Sequence, residues 1–275
     1  MSNLFCIHIH NRDYTDYEFC SNDVDNKKLN LQVDPIEHKL FHNDIFSLNE
    51  HEQPFIELSE IRVKKYIPGV LILQNNKTYG RTEHKKRLLY KCIPYDPRLP
   101  HFLIPYDLKV NFSKSLHNKY VLFIFDNWKY RHPRGVLYET LGDVNDITSL
   151  SEYELYGNNL HYSLKEINSH VKRKLKPHDE MIEDISHCMN YKIHYKSDEY
   201  VFSIDPLNST DFDDAFAIQK TDTGTKITVH IANVAVWSEY LEIWNYFTNA
   251  VSTMYFPHCK KTMLSPILSD QVCSL

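Results

Sequence analysis

Tyr120-Val121-Leu122-Phe123-Ile124-Phe125 is the longest uninterrupted apolar run in the 275-residue chain. Its length is that of a strand and far short of the roughly 20 residues that a helix needs to cross a bilayer, so it reads as one buried β-strand. Upstream lie three more short apolar segments, at 66–73, 87–93 and 101–106, with turn-rich Gln74-Asn75-Asn76-Lys77, 94–100 and 111–118 between them. Short strands at regular spacing predict a small closed barrel or sandwich over residues 61–147.

The charge is distributed unevenly around that barrel. Residues 1–60 hold 4 Lys+Arg against 12 Asp+Glu (−8), residues 61–135 hold 16 against 4 (+12), and residues 136–275 hold 11 against 20 (−9). A strongly basic middle within a chain of net charge −5 is the electrostatic footprint of a polyanion partner. Twelve aromatic residues are interleaved with those basic ones. Alternation assigns Phe102, Phe123 and Phe125 to the barrel core. Tyr79 beside Arg81, and Trp128-Lys129-Tyr130-Arg131, stand among charges and are candidates to stack on the bases of a single-stranded nucleic acid.

Composition removes several classes. With 42% hydrophobic and 24% charged residues the chain is that of an ordinary globular protein. Met1-Ser2-Asn3-Leu4-Phe5 lacks a basic stretch followed by an apolar core, so no secretory signal is expected. The six cysteines are scattered with no C-x-x-C pair and are read as reduced thiols of a cytoplasmic or other reducing compartment. Cys6-Ile7-His8-Ile9-His10 alternates like a strand and offers no second ligand pair at zinc spacing. Only 6 glycines are present, and neither G-x-G-x-x-G nor G-x-x-x-x-G-K can be written from the chain.

Beyond the barrel, Leu160, Leu164, Ile167 and Val171 recur at helical spacing, as do Met181, Ile182, Ile185 and Met189, with Pro177 as a break between them. Strand patterns return at 200–204, 215–218 and 226–236, with a hairpin turn at Thr223-Gly224 and a helix expected over 239–250. The predicted fold class is α+β: a basic OB-type barrel, then a helical connector and the start of an α/β catalytic domain over residues 148–275. Residues 1–60 are an acidic segment with too little pattern to predict a complete domain.

The sharpest chemical feature is Ser203-Ile204-Asp205-Pro206-Leu207-Asn208-Ser209-Thr210-Asp211-Phe212-Asp213-Asp214-Ala215. Four aspartates fall between two apolar strands, where like charges raise one another's pKa unless a cation neutralises them. A hard divalent cation, Mg²⁺ first, suits an all-oxygen donor set, and an acidic structural turn is the alternative. Beside a basic aromatic module, a divalent cation site suggests phosphodiester hydrolysis.

These residues resemble a known family. Asp205-x5-Asp211-Phe212-Asp213-Asp214-Ala215 is similar to the hallmark of the ribonuclease II/ribonuclease R (RNB-domain) exoribonucleases. Val229-His230-Ile231-Ala232-Asn233-Val234 resembles a second block of that family. Thr253-Met254-Tyr255-Phe256-Pro257, Met263-Leu264-Ser265-Pro266 and Leu268-Ser269…Cys273-Ser274-Leu275 resemble a third. Gly69-Val70-Leu71, Ile104-Pro105-Tyr106 and Gly135-x6-Gly142-Asp143 fit the family's second cold-shock-like domain, and residues 1–60 match loosely as a reduced first one. The resemblance implies a Mg²⁺-dependent 3′→5′ exoribonuclease, with Mn²⁺ as a substitute metal, that releases nucleoside 5′-monophosphates. It places Asp205, Asp211, Asp213 and Asp214 at the metal and catalytic positions, and Tyr255 against the 3′-terminal nucleotide. Tyr79, Arg81, Trp128, Lys129 and Arg131 are the barrel's candidate RNA contacts. Asn233 stands where the family has aspartate, and a packing role is expected for it. Family members carry phosphate-clamping arginines and an S1 domain beyond the block that ends at Leu275, so a second polypeptide completing the catalytic domain is an expected partner. The competing reading is a catalytically silent RNA-binding module or an inactive fragment of such an enzyme.

Overall fold

The computed structural model describes residues 4–108, 116–188, 199–207, 209, 212–247 and 252–275, which form two compact units meeting at His161/Tyr162. In the first unit, β1 (Leu4–Ile9), β2 (Tyr17–Ser21), β3 (Lys28–Leu29), β4 (Ile45–Leu48) and β5 (Pro54–Leu58) form an open sheet in the order β3-β2-β1-β4-β5. After a short helix α1 (Glu60–Val63) come β6 (Ile67–Leu71), β7 (Leu89–Pro94), β8 (Phe102–Pro105), β9 (Lys119–Asn127) and β10 (Arg134–Asp143), which close into a barrel ordered β10-β8-β7-β6-β9. Closure comes from a parallel contact between β8 and β10, at Leu103 and Arg134, with all other pairings antiparallel. This is the connectivity of a five-stranded OB barrel. The N-terminal sheet repeats that strand order without the closing contact, so residues 1–60 are more ordered than their sequence pattern predicts.

β10 was invisible to alternation because only one of its ten residues, Gly135, is buried and its pairing with β9 is broken by three register shifts. Such bulges tighten the coil that a small barrel requires. On β9, Val121 and Phe123 are buried in the core that the barrel and the N-terminal sheet share. The next helix, α2 (Ile147–Gly157), covers the opposite side of β9, and its Tyr153 stacks on Tyr120 at 4.4 Å. Cover on both sides explains why this strand reads as a continuous apolar run. Helix α2 therefore belongs to the barrel unit and not to a connector beginning at 148.

One core joins the two sheets. Phe41 stacks on Phe102 at 6.0 Å and meets Phe125 and Trp128 at 5.5 and 4.8 Å. Arg12 gives its guanidinium to the carbonyls of Leu99, Pro94 and Asp96 at 2.9, 3.0 and 3.3 Å. Buried Asp44 accepts from Arg62 at 2.7 Å and from Ser59. The N-terminal segment and the barrel are thus one folded body.

In the second unit, α3 (Lys165–Lys174), α4 (His178–Cys188) and α5 (Val234–Tyr240) bury Ile167, Val171, Met181, Ile185 and Trp237 with Leu268 and Val272 of the final turn. Pro177 does separate α3 from α4. Of the helix expected over 239–250, residues 239–240 end α5 and Trp244–Tyr246 form a brief 3₁₀ turn, while residues 248–250 lie outside the described residues. β13 ends at Ile231, five residues short of the expected strand end, because the Asn233 side chain caps α5 by accepting the Val236 N–H at 3.2 Å. Asparagine and aspartate cap equally well, so its role is capping and not packing, and its presence in place of aspartate is physically conservative. A three-stranded sheet, β11 (Val201–Phe202), β12 (Asp214–Thr221) and β13 (Gly224–Ile231), and a small hairpin, β14 (Met254–Tyr255) with β15 (Lys260–Lys261), complete the unit.

Candidate functional sites: a basic groove and an acidic strand end

The barrel groove lies where the long β6–β7 loop meets the β9–β10 loop, the two regions flanking the ligand face of OB folds. It encloses about 330 Å³ and is lined by Lys85, Arg87, Lys129 and Arg134, with Glu83 and Asp126 as acidic members. Arg134 lies over the Tyr130 ring at 5.0 Å, and Tyr130 Oη donates to Glu83 at 3.3 Å, so this exposed ring is held at the groove edge. Tyr79 is 37% exposed with Lys77 over its face at 5.5 Å. Arg81 is exposed and donates to the Lys86 carbonyl at 2.8 Å, while Lys129 and Arg131 are exposed.

Trp128 is the correction. It is only 8% exposed, edge-on to Tyr14 and packed on Phe41, with Lys39 over its ring at 5.6 Å. The largest ring in the charged stretch therefore points inward, because burying it gains more than its charged neighbours lose by staying in water. It is a core residue and not a stacking platform. Sequence reasoning missed Arg87 and Arg134, whose positions on the groove follow from the unrecognised strand β10 and the return of the β6–β7 loop.

Burial, reinforced by nearby positive groups, lowers the pKa of two histidines of the barrel. His101 is pushed down to about 4 by burial, then by Lys91, Arg12 and His132. His132 is lowered by burial, then by Arg131 and Lys91.

The acidic site is built at the start of β12. Asp214 opens the strand opposite Ile231, and the Asp213 carbonyl accepts the Ala232 N–H at 2.9 Å. Phe212 is fixed from both sides: its N–H donates to Ser274 Oγ at 3.1 Å and its carbonyl accepts the Leu275 N–H at 3.0 Å. Asp205, Asp213 and Asp214 are exposed, and none is engaged in a salt bridge among the described residues. Asp211 lies outside the described residues. Among the described residues no three His, Cys, Asp or Glu side chains converge tightly enough to hold a metal. The donor chemistry nevertheless fits a hard divalent cation: it is all-oxygen and anionic, and no Lys or Arg among the described residues neutralises it. Tyr255 is 80% exposed on β14, and no aromatic or basic residue among the described ones lies on its ring.

Comparison with known proteins follows the two units. Residues 195–275 match the RNB domain, and residues 89–156 match the Dis3-like cold-shock domain 2 (CSD2). DIS3-like exonuclease 2 of Schizosaccharomyces pombe is 29% identical over 195 residues, covering 66% of this chain and 20% of that protein. Exoribonuclease 2 of Aeromonas hydrophila is 36% identical over 75 residues, covering 27% and 11%. Mycoplasma genitalium RNase R, solved with ribose-methylated single-stranded RNA, matches at TM-score 0.57 and 18% identity over 98% of this chain and 41% of that one. The same enzyme solved with double-stranded RNA matches at 0.51 and 20%, over 78% and 35%. The chain thus spans a fifth or less of the curated relatives it matches. The RNB-family reading of the aspartate stretch is borne out, as is the OB-type barrel before it.

Proposed function

We propose that this RNB-family chain acts in Mg²⁺-dependent 3′→5′ hydrolysis of single-stranded RNA to nucleoside 5′-monophosphates. The observation that carries the proposal is the Asp213-Asp214 strand end: exposed carboxylates with no salt-bridge partner among the described residues, set beside a strand by fixed backbone bonds, within the segment that matches the RNB domain. The groove of the barrel holds the RNA backbone through Lys85, Arg87, Lys129 and Arg134, and Tyr79 and Tyr130 offer faces for bases. Asp205, Asp211, Asp213 and Asp214 hold the metal, and Tyr255 stacks on the 3′-terminal nucleotide. Mg²⁺, or Mn²⁺ in its place, supplies polarisation of the scissile phosphate and a water more readily deprotonated. The six cysteines, all unbridged, agree with a reducing compartment such as the cytoplasm. No helix among the described residues is long and apolar enough to cross a membrane. The reading requires that Asp213→Asn abolish RNA decay while RNA affinity is kept.

A second polypeptide is part of this reading. Ile218 on β12 and Ile227, Val229 and Ile231 on β13 are exposed and share one sheet face with half-buried Phe202 and Phe216. Asp214 sits at the end of that same face, opposite Ile231. An uncovered apolar face of this kind marks an interaction surface. Whatever covers it also walls the acidic site, and a further part of an RNB fold, in the same or another polypeptide, is the occupant we propose. The same observation favours the alternative reading, a catalytically silent RNA-binding module, whenever the face stays bare.

A further inference from the structure

Cys6 and Cys20 stand directly opposite each other in the β1–β2 pairing, and nothing in the proposed RNA chemistry uses them. The flanking bonds fix which kind of pair they are. The N–H of Asn22 donates to the Leu4 carbonyl and the N–H of His10 to the Asp16 carbonyl, both at 2.9 Å. The two-residue period of an antiparallel ladder then makes Cys6–Cys20 a hydrogen-bonded pair, with Cα atoms about 5.5 Å apart. That separation lies at the usual spacing of a disulfide, and directly opposed residues present their side chains on one face of the sheet.

We propose that Cys6 and Cys20 are a redox-modification site, closed by small-molecule disulfides into a reversible cross-strand bridge and reopened by thiols. The two sulfurs differ in access: Cys6 is half-buried and Cys20 is 4% exposed. The order of events follows from that difference. The Cys6 thiolate, having lost its proton to solvent, attacks the S–S bond of a disulfide such as oxidised glutathione, forming a mixed disulfide and releasing one glutathione thiolate. The Cys20 thiolate, likewise deprotonated, attacks the Cys6 sulfur, forming the Cys6–Cys20 bond and expelling the second glutathione thiolate. The two released thiolates take up the two protons. The protein gives up two electrons and the oxidant accepts them. Burial raises the pKa of both thiols, which lowers their thiolate fraction and slows the reaction. The bridge would join β1 and β2 in the sheet whose Ile7, Ile9 and Phe19 anchor the shared core.

The test uses the full chain carrying Cys188→Ser and Cys259→Ser, since those two thiols are exposed and would react on their own. It is incubated with oxidised glutathione and measured by intact mass and by non-reducing peptide mapping. The expected result is the loss of two thiols with no glutathione retained, a linked Cys6–Cys20 peptide pair, and full reversal by dithiothreitol. Adding Cys20→Ser should leave one glutathione on Cys6. Glutathione retained on Cys6 with Cys20 present and free, or no reaction at either residue, would overturn the proposal.

Discussion

Ser274 Oγ accepts the backbone N–H of Phe212 at 3.1 Å across 62 residues of chain, and the next residue, Leu275, donates to the Phe212 carbonyl at 3.0 Å. The Asp213-Asp214 pair is therefore positioned by the Cys273-Ser274-Leu275 block as much as by its own strand. Ser274→Ala removes one acceptor from a half-buried amide, a loss of about 1 kcal/mol. Hydrogen exchange at the Phe212 amide should accelerate roughly fivefold. Unchanged exchange there would show that the clasp does not hold the loop.

Trp128 and Tyr130 are two residues apart and should separate stability from binding. Trp128→Ala opens the core against Tyr14 and Phe41 and should cost about 3–5 kcal/mol in urea unfolding. Tyr130→Ala should leave the unfolding midpoint nearly unchanged and weaken binding of a single-stranded oligonucleotide by about 1–3 kcal/mol. Equal effects of the two substitutions on RNA affinity, after correction for folding, would contradict this assignment.

If the groove follows the RNA backbone, its cations act by releasing counterions. Lys85→Ala and Lys129→Ala should each lower the slope of log affinity against log salt by about 0.7, with little dependence on oligonucleotide sequence. A slope unaffected by both would place the RNA elsewhere on the protein.

His101 predicts acid sensitivity of the barrel unit. Its folded pKa, near 4, lies below the ordinary value of 6.5, so between those values the unfolded chain binds more protons than the folded one. Stability is full above pH 6.5 and falls as the pH drops toward 4. Urea midpoints measured across that window should fall with acidification, and His101→Gln should flatten the fall. An identical pH slope in the variant would remove His101 as the cause.

Much of this was legible from the chain. The short apolar runs gave four strands of the barrel, and the aspartate motif gave the segment that matches the RNB domain. What escaped had physical reasons. Strand β10 lies bent and solvent-facing, so it carries no alternation. Trp128 shows that charged neighbours do not fix where a loop side chain points when a core of Phe41 and Tyr14 lies within reach. The N-terminal sheet was unreadable because its strands are short and its core is borrowed from the barrel, through contacts such as Phe41 on Phe102 that no local pattern encodes. The cap at Asn233 looked like a strand residue because Val229 and Ile231 before it alternate without interruption.

The central claim is tested most directly by RNA decay. The protein is incubated with 5′-labelled single-stranded RNA and Mg²⁺, beside parallel reactions containing EDTA or the Asp213→Asn variant. The account predicts a ladder shortening from the 3′ end that is lost in both controls, while Asp213→Asn still shifts the RNA in a gel. RNA that is bound and shifted by the wild-type protein yet stays intact with Mg²⁺ would contradict it and leave an RNA-binding module without hydrolysis.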